Sequence, residues 1–125
     1  MATTSLKPIH WLGDSKEKLL AFPDRVREEI GYALYFAQKG DKHPSAKPLK
    51  GFGGAGILEI VEEYDGGAYR AVYTVKFAGT VYALHCFQKK ARHGITTSPG
   101  DIELVRKRLK TAQKHYERQP SQGTG

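Results

Sequence analysis

Four side chains near the middle of the chain have the types and spacing to handle a phosphate and a base: Arg70, His85, Phe87 and Lys89. They sit in two β-rich runs, Tyr69–Phe77 and Thr80–Arg92, separated by Ala78-Gly79. A two-residue, glycine-containing break between such runs predicts a β-hairpin. If Ala78 and Gly79 form the loop, Phe77 faces Thr80, and the ladder places Arg70 opposite Phe87 and diagonal to His85 and Lys89. Alternation then assigns Arg70, Val72, Thr74, Lys76, Val81, Ala83, His85, Phe87 and Lys89 to one face. Tyr69, Ala71, Tyr73, Val75, Phe77, Tyr82, Leu84 and Cys86 form an apolar opposite face. The plainer alternative is a half-solvated sheet face with scattered charge.

Such a set needs no metal to act on RNA, whose nucleophile, the 2′-hydroxyl, already lies beside the scissile phosphate. Arg70 can hold phosphoryl oxygens as a planar fork. Lys89 and Lys90 can stabilise the charge that develops on them, His85 can accept or donate a proton, and Phe87 can stack a base. Lys76 and Arg92 add candidate RNA contacts. The five histidines and single cysteine show no metal-ligand spacing, which predicts neither metal nor other cofactor. Cys86 is expected in the core rather than as a nucleophile. Gly51–Gly56 spells G-x-G-x-x-G, but a Pro/Lys-rich loop precedes it and an apparent strand follows, the wrong context for dinucleotide binding.

The elements that must position these residues read as follows. Ile9–Leu12 is a short edge strand. Asp14 and Glu17 resemble a capping box opening a helix through Leu19, Leu20 and Phe22. Pro23 starts a second helix, in which Val26, Ile30, Ala33, Leu34 and Ala37 recur at helical spacing before Gly40. Residues 40–56 form a loop. Ile57–Tyr64 is a strand joined through residues 65–68 to the hairpin; pairing Tyr64 with Tyr69 puts Glu59, Val61 and Glu63 on the face of Arg70. Glu63 is then a rival ion-pair partner for Arg70. Ser98 caps a last helix with Pro99 in its first turn, and Ile102, Val105, Leu109, Ala112 and Tyr116 form its apolar stripe. The expected fold is α+β: a small antiparallel sheet with two N-terminal helices and a C-terminal helix. The helices are expected on one face, leaving the face of Arg70, His85 and Lys89 open.

With 125 residues, 39% of them apolar, the chain fits one domain, residues 1–125, with a core at about 8–117 and a frayed tail at 118–125. A single cysteine, no signal-like N-terminus and no apolar stretch long enough for a span point to the cytoplasm and away from membranes. The net charge is +7, and from Lys89 to Arg118 nine basic residues face three acidic ones. That asymmetry favours a polyanionic partner.

The runs Lys47-Pro-Leu-Lys-Gly-Phe-Gly53, Leu58-Glu-Ile60, Tyr69-Arg-Ala-Val-Tyr73, Leu84-His-Cys-Phe-Gln-Lys-Lys90 and Ile102-Glu-Leu-Val-Arg-Lys-Arg108 resemble the phage-derived Gp49-like branch of the RelE/HigB toxins. The resemblance implies a RelE-like fold and the toxin of a type II toxin–antitoxin pair. It also implies a ribosome-dependent endoribonuclease acting on mRNA, restrained by a helix-turn-helix antitoxin through which operator DNA is bound. By motif, Arg70 matches the strand arginine at the scissile phosphate, and Lys89 and Lys90 the basic residues after the last strand. Two departures stand out: the preceding strand carries Glu59, Glu62 and Glu63 where RelE has lysines, and no tyrosine follows between Ala91 and Ile102. The alternative is a toxin-fold protein without nuclease activity that binds an antitoxin or nucleic acid.

Overall fold

Two turns set the sheet. Asp65 and Gly66 both have positive φ, 51° and 81°, the backbone of a two-residue hairpin loop whose twist matches its strands. They join β3 (Ile57–Tyr64) to β4 (Gly67–Thr74). Tyr64 therefore pairs with Gly67, not Tyr69. The shift is two residues, so the faces are as expected, but Val61 rather than Glu63 lies opposite Arg70. The second connection, from Val75 to Thr80, is longer than the expected two-residue loop and leads into β5 (Val81–Lys89).

The computed structural model describes residues 6–53, 56–89 and 97–119. Its remaining elements are β1 (Ile9–Trp11), α1 (Ser15–Leu20), α2 (Asp24–Gln38), β2 (Lys47–Pro48) and α3 (Pro99–Arg118). The sheet order is β1-β5-β4-β3-β2. Every pairing is antiparallel except β1 with β5, which is parallel and places β1 at an edge. The α+β expectation is borne out. The helix of residues 14–22 lacks the expected capping box, because Asp14 makes no side-chain cap and its Oδ1 instead accepts from Arg108 at 2.9 Å. The tail expected at 118–125 starts later than that, because Arg118 is still the last residue of α3; residues 120–125 lie outside the described residues.

Side-chain register along β4 and β5 follows the sequence reading only as far as Val72 opposite His85; the next pair is Tyr73 with Ala83. Leu84 is an extra residue, a β-bulge, which turns two successive side chains to one side. Tyr82 and Leu84 consequently leave the expected face and join Val72, Ile57 and Phe77. Val81 moves the other way, to the cluster of Tyr69, Ala71, Tyr73 and Cys86. Arg108 accommodates the bulge by donating to the Leu84 carbonyl at 2.9 Å, its guanidinium lying where a side chain on Gly13 would stand.

The open face is the larger correction. α1 and α2 cover one face, with Leu19, Val26, Ile30, Ala33, Leu34 and Ala37 buried against Ile60, Ala71 and Tyr73. α3 covers the other, with Val105 and Ala112 buried against Val72, Tyr82 and Leu84. An amphipathic stripe has to be buried somewhere; the sheet carries apolar side chains on both faces, so both can be covered. Among the described residues no helix is long and apolar enough to cross a membrane.

Candidate functional site

Covering the second face puts Arg70 and His85 under the start of α3, 5% and 7% exposed. Buried charge requires a partner. Arg70 Nη1 donates to Glu59 Oε2 at 2.9 Å, and the same oxygen accepts from Thr97 Oγ1 at 2.7 Å. Glu59 stands opposite Val72, one step along from Arg70 on the same face. It, rather than Glu63, is the ion-pair partner.

A second carboxylate serves the other two candidates. Asp101 Oδ1 lies 2.9 Å from His85 Nε2, and Oδ2 lies 3.0 Å from Lys89 Nζ. Ser98, the expected helix cap, accepts from the Asp101 backbone N–H at 3.2 Å and donates through Oγ to Asp101 Oδ2 at 2.7 Å. Phe87 stacks on His85, centroids 4.3 Å apart and planes 19° from parallel. Burial lowers the His85 pKa from 6.5 more than Asp101 raises it, so the ring is neutral at pH 7. Asp101 is also disfavoured as an anion by burial, but hydrogen bonds from His85, Ser98 and Lys89 outweigh this and hold it at about 2.

The structure thus brings together Arg70, His85, Phe87 and Lys89, and Arg70 faces Phe87 as the hairpin register requires. Lys76 is elsewhere: it is exposed beyond the end of β4, whose last residue, Thr74, is already about 13 Å along the strand from Arg70. Lys90 and Arg92 lie outside the described residues. Cys86 is buried as expected, its thiol pushed up to about 12 by desolvation. Sequence reasoning missed Asp101 and Thr97 as members of the cluster. Asp101 shows in sequence only as a first-turn acid, a role it fills equally well on any exposed helix.

Gly51, Gly53 and Gly56 all have positive φ, and Gly56 leads straight into β3, so a strand follows where a dinucleotide-binding loop needs a helix N-terminus. A second polar cluster, unforeseen, joins β1, β5 and α3: Tyr82 Oη lies 2.7 Å from His115 Nδ1, and His10 stacks on Tyr82.

Residues 17–110 match the family model of the phage-derived Gp49-like proteins (DUF891). That span contains Arg70, His85, Phe87, Lys89 and Asp101. No curated protein matches the chain. Among solved structures, the RelBE2 toxin–antitoxin complex from Mycobacterium tuberculosis aligns at 19% identity and a TM-score of 0.41, over 72% of this chain and 99% of that chain. With well over half its length matched, the chain belongs to the phage-derived Gp49-like family, as its resemblance to that branch of the RelE/HigB toxins led us to expect.

Proposed function

We propose that the protein is the toxin of a type II toxin–antitoxin pair and stops translation by cutting mRNA on the ribosome. The observation that carries this reading is the convergence of Arg70, His85, Phe87 and Lys89 at one end of one sheet face, within the family-matched segment of a chain with net charge +7. In the proposed reaction, Arg70 and Lys89 exchange their carboxylate partners for the oxygens of the scissile phosphate. Neutral His85 takes the proton of the 2′-hydroxyl as its oxygen attacks phosphorus. The P–O5′ bond breaks, leaving a 2′,3′-cyclic phosphate and a 5′-hydroxyl protonated by solvent or the Lys89 ammonium. Phe87 offers a stacking surface to a neighbouring base, and Lys90 and Arg92 are further RNA contacts on this reading. The implied partners are mRNA, the ribosome and a cognate helix-turn-helix antitoxin, with operator DNA reached only through the antitoxin and the cytoplasm as the place of action.

Induction without the antitoxin is expected to arrest growth, and Arg70→Lys, which keeps the charge but loses the fork, to relieve the arrest. Undiminished arrest at an equal level of folded protein would remove Arg70 from the mechanism. Purified protein is expected to cut mRNA in translating complexes and barely touch naked RNA; brisk cleavage of naked RNA would count against ribosome dependence.

A second reading, an antitoxin- or nucleic-acid-binding protein without nuclease activity, is favoured by the internal neutralisation of Arg70 by Glu59 and of Lys89 by Asp101. Antitoxin binding without cleavage in translating complexes would select it.

A further inference from the structure

Asp101 meets three donors at once: His85 Nε2, Lys89 Nζ and Ser98 Oγ. An ionised carboxylate only accepts, so the imidazole nitrogen facing it carries the hydrogen. In a neutral ring the lone pair is then on Nδ1. His85 Nδ1 is buried and has no hydrogen-bond partner among the described residues. A histidine kept only for packing gains from satisfying both nitrogens, since a bare buried one carries a desolvation cost. Here one nitrogen is tied down, the ring is stacked on Phe87, and the described residues leave the acceptor nitrogen bare.

We infer that Asp101 is a positioning residue: its carboxylate fixes His85 in the Nε2–H tautomer and so presents Nδ1 as the proton acceptor for the 2′-hydroxyl. The inference rests on the nuclease reading for its chemistry, though not for its geometry. Among the described residues, the charged groups around the ring are Asp101 and Arg108 of α3, Lys89 of β5, Asp14 ahead of α1, and Arg70 of β4, diagonal to it in the ladder. Of these, Asp101 hydrogen-bonds the ring. Substrate entry has to uncover Nδ1.

The test is Asp101→Asn, which keeps the shape. Lys89 and Ser98 both donate toward Oδ2, so the new carbonyl turns to them and the amide NH2 faces His85. The ring must then accept at Nε2 and carry its hydrogen on Nδ1. Long-range ¹H–¹⁵N NMR of the imidazole in the purified protein is expected to show the Nε2–H form in the parent and the Nδ1–H form in the variant. Cleavage in translating complexes is expected to fall about 10²-fold or more. The acid limb of its pH profile should move to lower pH, because Asp101 raises the ring's pKa. An Nδ1–H ring in the parent, or a variant with unchanged tautomer and pH profile, overturns the inference. So does a variant whose only change is tighter binding of inorganic phosphate, which would make Asp101 a counter-ion alone. If the parent cuts no RNA, the nuclease reading fails and Asp101's role in catalysis fails with it. The tautomer assignment is still decided by the spectrum.

Discussion

The Arg70–Glu59 pair offers the sharpest test of the architecture, because its side chains are only 7% and 15% exposed. Removing one member of a buried pair strands the other charge, at a cost of about 3–5 kcal/mol. Arg70→Met leaves Glu59 with Thr97 as its remaining hydrogen-bond partner among the described residues and is expected to lose that much. At about 2.1 cal/mol/K of unfolding entropy per residue, 1 kcal/mol moves Tm by about 4 °C in a chain of this size, so the fall should be about 12–20 °C. Adding Glu59→Leu removes the stranded charge and should bring stability back to within about 2 kcal/mol of the parent; with about 3–5 kcal/mol lost by each single variant, the coupling is about 4 kcal/mol or more. Urea denaturation of the two single variants and the double closes the cycle. A single variant losing less than about 1 kcal/mol would show a pair solvated like a surface ion pair, and with it the claim that α3 buries this face would fail. The result also governs how a growth assay is read. A loss of 1–2 kcal/mol can change cellular abundance several-fold, so relief of toxicity by an Arg70 variant means something only at matched folded protein.

Acid should weaken the fold in two stages. His85 has its pKa lowered from 6.5 on folding, so its contribution is intact above 6.5 and is lost as pH falls through the folded value. Asp101, lowered from 3.8 to about 2, follows between those values; a urea midpoint that rises on acidification from pH 7 would refute both. Leu84→Ala separates a covered face from an open one. With Leu84 fully buried beneath α3 the cost should be about 2–5 kcal/mol, whereas an exposed position would lose under about 0.5 kcal/mol.

What the sequence reveals here is local, and what it hides is long-range. The apolar positions of α2 were legible because helical spacing marks them, and Val26, Ile30, Ala33, Leu34 and Ala37 are all buried. The Ser98 cap and Pro99 start of α3 were legible because their partners lie within four residues. The bulge at Leu84 carries no such mark: it appears only as a break in a ladder between two strands, and it moves Tyr82 and Leu84 to the other side of the sheet. The stripe of α3 predicts burial but not which face it covers. Lys76 shares a face with Arg70 by alternation, yet alternation is blind to distance along the strand. Asp101 could be placed at the cluster only once α3 was laid across β5.

The acidic strand before Arg70 looked unfavourable for RNA, and its geometry divides that objection. Glu62 pairs with Tyr69, on the α2 side of the sheet, where burial and then Glu29 raise its pKa. Glu63 is exposed near the end of β3. Of the three, Glu59 enters the cluster, and there it serves as a counter-ion to buried Arg70. On the proposed reading this has a price in affinity. A phosphate must take Arg70 from Glu59 and Lys89 from Asp101, so each gained contact is offset by a broken one. Binding energy from outside the cluster has to drive the exchange. The ribosome can supply it by holding the mRNA in place, whereas a free strand in solution brings only its own phosphates. Internal neutralisation therefore argues for a site that stays idle on naked RNA, and against a free ribonuclease.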